Sequence, residues 1–285
     1  MPESNLYPLV KKTIDKPQTV IEVNGLKIGG DDLSIIAGPC AVESEEQIFT
    51  IGKFLSEKGI RILRGGAYKP RTSPYSFQGL MLDGLKLLKQ VSTKYDMAVI
   101  TEVMDLSLLD TVYPYADILQ IGARNMKNYH FLKELGKTDK PILLKRGMDA
   151  TIEEWLLAAE YILMGGNENV ILCERGIRSF DNATRNTMDI ASIPLIKTLS
   201  HLPIIADPSQ ATGNRDIVTP LSLAAIAAGA DGLMIEVHNN PEKALSDGPQ
   251  SLRFEQFSDL IEKVKAYGKL AGKRIPEHQL KTQFN

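Results

Sequence analysis

The sequence has few of the features that mark disulfide-rich, membrane or nucleic-acid-binding proteins. Its 285 residues include two cysteines, four histidines and one tryptophan. Two cysteines exclude a disulfide scaffold, and we expect Cys173 to be a small buried core residue. No apolar run approaches the roughly 20 residues of a membrane-spanning helix, and the N-terminus lacks a signal-peptide pattern, so we expect a cytoplasmic location. A formal net charge of −2 excludes a general basic field for nucleic acid.

The sequence does contain a repeated alternation of short apolar runs and amphipathic stretches. The apolar runs, which predict strands, lie at residues 33–37, 60–63, 98–101, 118–120, 142–144, 170–172, 203–206 and 232–236. The amphipathic stretches predict helices at 44–58, 79–95, 151–164, 183–200 and 220–228, with a weaker one at 122–137. Eight β-then-α units in about 250 residues predict an α/β fold of the (β/α)8 TIM-barrel type. An open doubly wound sheet is the alternative, but charges at the ends of most runs favour a barrel, whose eight loops converge on one site.

The chain is expected to have three parts. Residues 1–30 form an N-terminal extension, in which Asn24-Gly25 between alternating runs predicts a two-residue β-hairpin. Residues 31–270 form the catalytic barrel, and residues 271–285 form a polar C-terminal tail. The extension is too short for a regulatory domain, so we expect it to cover the bottom of the barrel or to form an interface.

Cationic side chains follow four of the predicted strands. In a barrel they meet at one mouth, where they suit a ligand with several negative charges, such as a phosphate with a carboxylate. A single arginine after a strand is more often a solvated loop charge, but seven cations from four strand ends favour a binding site. The seven are Arg64, Lys69, Arg71, Arg124, Lys145, Arg146 and Arg175.

A second group at the strand ends has metal-ligand chemistry. Cys40, Glu236 and Asp247 combine a borderline-soft thiolate with hard carboxylate oxygens. Their sequence spacing is not diagnostic, so the pattern alone leaves a metal site as the less favoured reading.

The residues at these strand ends resemble the 3-deoxy-D-arabino-heptulosonate 7-phosphate (DAHP) synthases, of the compact microbial type related to KDO-8-phosphate synthases. The resemblance extends from about Ser34 to Lys265. The motifs that carry it are Gly38-Pro-Cys-Ala-Val-Glu-Ser, Arg64-Gly-Gly-Ala-Tyr-Lys-Pro-Arg-Thr-Ser-Pro-Tyr-Ser-Phe-Gln-Gly, Gly122-Ala-Arg-Asn, Leu143-Leu-Lys-Arg-Gly, Cys173-Glu-Arg-Gly and Glu236-Val-His with Ala244-Leu-Ser-Asp-Gly.

The resemblance implies a transferase that condenses phosphoenolpyruvate with erythrose 4-phosphate, the first step of the shikimate pathway to aromatic amino acids. It assigns phosphoenolpyruvate to Arg64, Lys69, Arg124, Lys145 and Arg175. It assigns erythrose 4-phosphate to Lys69, Pro70, Arg71 and Thr72. The chemistry of the condensation favours Lys69 as the catalytic residue that donates a proton to the carbonyl oxygen. Neighbouring Arg64 and Arg71 are expected to disfavour the charge on Lys69 until the anions bind.

Two alternatives remain open. The first is an enzyme like KDO-8-phosphate synthase that uses arabinose 5-phosphate or another aldose phosphate. That branch typically carries an Ala-Asn-Arg version of the Lys69-Pro70-Arg71-Thr72 loop. The second is a non-catalytic barrel that binds phosphorylated metabolites. The resemblance implies a homodimer or homotetramer, and neither nucleic acid nor a membrane is expected as a partner.

One position departs from the family pattern. The family binds its metal through Cys, His, Glu and Asp, and the His ends an Asp-Pro-Ser-His stretch, whereas this chain reads Asp207-Pro-Ser-Gln210. Gln210 could ligate a harder ion such as Mn²⁺, a water or His238 could fill the vacancy, or the metal requirement could be relaxed. We favour a divalent metal, Mn²⁺ first, held by Cys40, Gln210, Glu236 and Asp247.

Overall fold

The computed structural model describes residues 6–71 and 73–276. Eight parallel strands close into a barrel in which the last strand pairs with the first, so the predicted (β/α)8 fold is confirmed. A two-stranded antiparallel hairpin precedes the barrel. In chain order the strands are β1 Ile21–Val23, β2 Leu26–Ile28, β3 Ser34–Gly38, β4 Ile62–Arg64, β5 Ala98–Glu102, β6 Ile118–Ile121, β7 Ile142–Lys145, β8 Val170–Glu174, β9 Ile204–Ala206 and β10 Gly232–Glu236.

Helices lie between successive barrel strands and after the last one. They are α1 Glu45–Glu57, α2 Met81–Tyr95, α3 Leu109–Val112, α4 Tyr129–Leu135, α5 Ile152–Met164, α6 Ser192–Leu199, α7 Pro208–Thr212, α8 Val218–Ala227 and α9 Phe254–Leu270. The side chain of Ser44 caps α1, and Thr151 with Glu154 forms a capping box at the start of α5. These caps satisfy backbone N–H groups that have no partner within the helix, which fixes where each helix begins.

The predicted helix 183–200 is wrong in its first half. Helix α6 begins at Ser192, whose N–H donates to the side chain of Asp189, and residues 183–191 form a loop instead. Asn and Asp side chains compete with the helical backbone for hydrogen bonds, which favours a loop here. The N–H groups of Arg185 and Asn186 bond to Thr212 and Ala211. This loop therefore lies over the barrel mouth rather than on its outer wall.

The hairpin closes the bottom of the barrel. Asn24 and Gly25 have φ angles of 49° and 75°, as a two-residue turn between twisted strands requires. Ile21, Val23 and Ile28 belong to the same buried cluster as the side chains that fill the barrel interior. Cys173 is part of that cluster and is fully buried, which confirms its expected role in the core.

The N-terminal segment before the hairpin is also tied down. The carboxylate of Glu160 on α5 accepts from the N–H groups of Leu9 and Val10, at 2.9 and 2.8 Å. Buried His201 bonds to the hydroxyl of Thr19 and the carbonyl of Leu9, both at 2.7 Å. The tail assigned to residues 271–285 lies largely outside the described residues. Within the described part, no helix is long and apolar enough to cross a bilayer.

Hairpin packing can be tested with one variant on each face of β2. We predict that Ile28→Ala lowers the free energy of unfolding by about 2–5 kcal/mol, because it opens a cavity beneath the barrel interior. Lys27→Ala, on the exposed face of the same strand, is expected to change it by less than about 0.5 kcal/mol. Denaturant unfolding followed by circular dichroism measures both. Equal stability of the two variants would show that the hairpin does not pack on the barrel.

Candidate active site

A cavity of about 350 Å³ lies at the carboxyl ends of the barrel strands. Among the residues that the structure describes, two carboxylates and eight cationic side chains line it, so its charge is strongly positive. The carboxylates are Glu102 and Asp247, and the cations are Arg64, Lys69, Arg71, Arg124, Lys145, Arg175, Arg178 and Arg185. Six of the seven predicted cations are therefore brought together at one mouth. Pro70 lines the cavity as well, whereas Thr72 lies outside the described residues.

Side-chain alternation along the strands explains which charges reach this cavity. Ile62 and Leu143 point into the barrel and belong to its interior cluster. Arg64 and Lys145 follow them by two positions, so they share the inward face at its upper end. The neighbouring residues Leu63 and Leu144 face the surrounding helices in the outer cluster.

Arg146 is the exception to the prediction that seven cations meet at one mouth of the barrel. It comes one position after Lys145 and points away from the cavity. Its guanidinium donates to Glu174 at 2.9 Å and to Asp189 at 2.8 Å, and it lies over the Trp155 ring. Arg146 is buried, so this ion pair has a structural role outside the pocket.

Sequence reasoning missed Arg178 and Arg185, both from the loop between β8 and α6. Arg185 donates to Asp247 at 3.0 Å and to Gln250 at 2.7 Å. The helix predicted over residues 183–200 placed Arg185 on the outer wall. Gly176 and Asn182 lie close by in the sequence, and glycine and asparagine favour turns and loops. These two residues are the signal that could have identified a loop here.

Two buried guanidinium nitrogens lack a partner in the described part of the chain. They are Nε of Arg64 and one terminal nitrogen of Arg71, and both residues line the cavity. A buried donor without an acceptor is costly, and both of these are positively charged. The cavity is therefore complementary to a ligand with anionic oxygens.

Lys69 reaches the cavity from the loop after β4. Its ammonium donates to the Cys40 carbonyl at 2.9 Å and to the Cys40 sulfur at 3.0 Å. A side chain at Gly66 would meet Lys69 and the Cys40 carbonyl at 2.7 and 2.8 Å, so glycine is needed for this approach. Burial lowers the pKa of Lys69, but Cys40 and Glu102 outweigh it, so the pKa is raised. The expected effect of Arg64 is present, since it lowers the pKa of Lys69, but it is smaller than the effects of Cys40 and Glu102.

Beside the cavity, the ligand atoms of Cys40, Glu236 and Asp247 lie within 4.8 Å of one another. Cys40 follows β3, Glu236 ends β10, and Asp247 lies in the next loop with a φ of 54°. Burial raises the pKa of the Cys40 thiol to about 11 and raises the pKa of Glu236. Burial also acts on Asp247, but the neighbouring Arg185 guanidinium outweighs it and holds the pKa of Asp247 well below its ordinary value. One sulfur and two carboxylates that converge in this way could hold a divalent metal ion.

Gln210 lies beside these three groups but presents its nitrogen to them. Its Nε2 donates to Glu236 at 2.7 Å and to Asp247 at 3.0 Å, whereas its Oε1 accepts from Arg175 at 3.2 Å. An amide nitrogen does not coordinate a metal, so ligation by Gln210 requires the amide to turn and stays a prediction.

His238 does not join the metal group in this geometry. Its Nδ1 accepts from the N–H of Asn240, and its Nε2 lies 3.3 Å from Glu43 and 3.0 Å from Gln47. Both ring nitrogens are thus engaged by Asn240, Glu43 and Gln47. Of the other histidines, His130 is exposed, and His201 lies at the bottom of the barrel.

Comparison with known proteins identifies relatives over nearly the whole chain. The sequence profile of the DAHP synthetase I family matches residues 13–271. A Thermotoga maritima relative named phospho-2-dehydro-3-deoxyheptonate aldolase is 54% identical over 269 residues, or 94% of this chain and 80% of the relative. A Geobacter sulfurreducens relative named 2-dehydro-3-deoxyphosphooctonate aldolase is 31% identical, and the match covers 86% of this chain and 96% of the relative.

Solved structures give the same result. The crystal structure of phospho-2-dehydro-3-deoxyheptonate aldolase (DAHP synthase) from Thermotoga maritima has a TM-score of 0.92 at 53% identity, covering 94% of this chain and 78% of that one. A truncated form of the 3-deoxy-D-arabino-heptulosonate 7-phosphate synthase from the same organism has a TM-score of 0.89 at 49% identity, covering 95% of this chain and 100% of that one.

The different positions of Arg124 and Arg146 give a paired prediction. Arg124→Met is expected to weaken phosphoenolpyruvate binding roughly 10- to 100-fold, the loss of one charge-assisted hydrogen bond, without a change in stability, because Arg124 is exposed. Arg146→Met should lower the free energy of unfolding by about 3–5 kcal/mol, because it leaves Glu174 buried and unpaired.

Calorimetric titration with phosphoenolpyruvate and denaturant unfolding measure the two quantities for each variant. The assignment of Arg124 to the cavity and of Arg146 to an ion pair outside it requires that Arg124→Met loses binding and keeps its stability. It requires that Arg146→Met loses stability instead. A loss of binding in folded Arg146→Met with none in Arg124→Met would reverse it.

Proposed function

We propose that this chain, which belongs to the DAHP synthetase I family, condenses phosphoenolpyruvate with erythrose 4-phosphate and water to give DAHP and phosphate, the first step of the shikimate pathway. The observation that carries the proposal is the pocket with eight cations. Arg64 and Arg71 in this pocket each hold a buried nitrogen that has no partner among the described residues. The 54% identical Thermotoga maritima relative carries the name of this activity.

Phosphoenolpyruvate brings a carboxylate and a phosphate, the latter with about two negative charges at neutral pH. We assign these groups to the cations deepest in the barrel. Arg64, Lys145 and Arg175 are each about 5% exposed, so water screens them little, and their attraction for an anion is correspondingly strong. Arg124 completes the proposed site at its rim, and Lys69 completes it at the edge next to Cys40.

Erythrose 4-phosphate is assigned to the loop after β4. Lys69, Pro70 and Arg71 line the cavity, and the Arg71 Nε is held by the carbonyl of Phe77 at 2.9 Å. This hydrogen bond orients the guanidinium, and the terminal nitrogen without a partner is then the donor for the second phosphate. Thr72, which follows directly in sequence, belongs to the same proposed subsite.

The proposed reaction forms one carbon–carbon bond and breaks one carbon–oxygen bond. The C3 carbon of phosphoenolpyruvate attacks the aldehyde carbon, and the aldehyde oxygen takes up a proton. Water adds to C2, and phosphate leaves with cleavage of its bond to C2. Lys69 is assigned as the proton donor, because its raised pKa keeps it charged at neutral pH. Glu102 is a carboxylate in the same cavity, and we assign it as the group that accepts the proton lost by the water.

We assign a divalent cation to Cys40, Glu236 and Asp247, and Mn²⁺ is favoured because two of the three groups offer hard oxygens. When bound, such an ion polarises a substrate carbonyl. We further propose a cytoplasmic location and a homodimer or homotetramer. The family resemblance supports both proposals.

The role of Lys69 predicts a large kinetic effect with little effect on the fold. Lys69→Ala is expected to lower kcat by about 10²- to 10⁴-fold, because it removes the proton donor. Lys86→Ala, an exposed lysine on α2, serves as the control and should keep full activity. Phosphate release from phosphoenolpyruvate with erythrose 4-phosphate measures kcat, and circular dichroism checks the fold. Normal turnover by Lys69→Ala would remove Lys69 from this role.

The identity of the aldose can be tested by direct competition. The 31% identical relative carries the name of an enzyme that makes an eight-carbon sugar acid phosphate, so arabinose 5-phosphate is the second candidate. We predict a kcat/KM for erythrose 4-phosphate at least ~100-fold above that for arabinose 5-phosphate. A reversed ratio would assign the chain to the second activity. No phosphate release with any aldose and any divalent metal would support a non-catalytic binding barrel.

A further inference from the structure

The direction of the Gln210 amide is fixed by its neighbours. The arginine guanidinium is only a donor, so Arg175 must contact the amide oxygen. The amide nitrogen lies 2.7 and 3.0 Å from carboxylate oxygens of Glu236 and Asp247 and donates to both. Both N–H bonds of the amide are thereby used, one on each carboxylate. The amide links two of the three groups proposed to hold the cation.

Protein donors also satisfy the other acceptor atoms of this cluster. The second partner of Glu236 Oε1 is Arg64 at 3.0 Å, and Glu236 Oε2 accepts from Gln250 at 2.7 Å. Asp247 Oδ1 accepts from Arg185 at 3.0 Å, and the Cys40 sulfur accepts from Lys69. Two arginines thus balance two carboxylates. The buried atoms without partners in the described part of the chain are donors, and none of them calls for a cation.

We propose that Gln210 is a built-in competitor of the divalent cation, whose amide nitrogen must leave the two carboxylates before a metal can bind. The metal site is therefore weak and readily loses its ion. This inference rests on the proposed metal site at Cys40, Glu236 and Asp247. It assigns Gln210 a positioning role, in which it holds the two carboxylates together while no metal is bound.

Ligation through Oε1 is the rival explanation, and the surroundings of Gln210 disfavour it. Turning the amide would break its bond from Arg175 and place the amide N–H groups against that guanidinium. Two donors would then face each other in a largely buried place, which costs free energy. Arg175 is also held beside the amide by the backbone carbonyls of Gly176 and Gln210, at 3.3 and 3.4 Å.

The two explanations predict opposite results for Gln210→Ala. If the amide competes with the metal, its removal frees the carboxylates, and Mn²⁺ should bind at least ~10-fold more tightly than to the wild-type chain. If the amide oxygen is a ligand, its removal should weaken binding. Gln210→His is expected to bind Mn²⁺ more tightly than the wild type, because imidazole is a good ligand for this class of ion.

The experiment is a titration of the full chain and both variants with Mn²⁺, in which electron paramagnetic resonance measures the free ion. Equal or weaker binding by Gln210→Ala, or none, overturns the proposal. Co²⁺ binding followed by its thiolate absorption band checks that the ion occupies the site of Cys40. An increased affinity without that band also overturns the proposal.

Phosphate release measured on the same preparations separates this inference from the proposed function. Turnover by the wild type together with weaker Mn²⁺ binding by Gln210→Ala would remove the competitor role and leave the function intact. Tighter binding without turnover in any variant would leave the competitor role intact and remove the function.

Discussion

Side chains alternate along a strand, and in a closed barrel only the inward-facing set can reach the mouth. The rest of the site depends on this constraint. Ile62, Leu143 and Met234 are apolar residues that point into the barrel interior. Arg64, Lys145 and Glu236 each come two positions later on the same strands, so they point to the same side at the upper end. The same row of side chains therefore fills the core below and carries charge above. Arg146, a single position out of phase, pairs with Glu174 outside the cavity instead.

The concentration of positive charge at the mouth is tolerated because carboxylates are placed behind it. Lys145 contacts Asp207 at 2.6 Å, and Arg64 contacts Glu236 at 3.0 Å, with all four side chains buried. A buried pair of this kind adds little net stability, because desolvation offsets the attraction between the charges. Its effect here is to hold each cation in one orientation, so that its remaining donors point into the cavity. An anionic ligand then meets donors that are already in place, and less ordering has to accompany binding.

Much of this arrangement could be predicted from the sequence, and the failures have physical causes. The eight apolar runs and the helix caps at Ser44 and Thr151 depend on local patterns, so the barrel and most of its elements were predictable. The position of Arg146 was missed because the prediction took every charge at a strand end as facing the mouth. It left out that successive side chains on a strand point to opposite faces. Arg185 was missed because an amphipathic pattern hid the loop around it. The orientation of the Gln210 amide could not be read from sequence at all, because it is set by three residues distant in the chain.

Arg64 connects the anion-binding cavity to the carboxylates behind it. One of its terminal nitrogens is bound to Glu236, while its Nε is buried at the cavity and has no partner in the described part of the chain. Glu236 also accepts from Gln210 and Gln250, so a change at this carboxylate alters how firmly Arg64 is held. A divalent cation bound to Glu236, as proposed above, would weaken the bond of this carboxylate to Arg64 and would add positive charge beside it. Both effects would strengthen the attraction of the Arg64 guanidinium for an anion. Because coupling of this kind is reciprocal, an anion bound at Arg64 would favour the cation in turn.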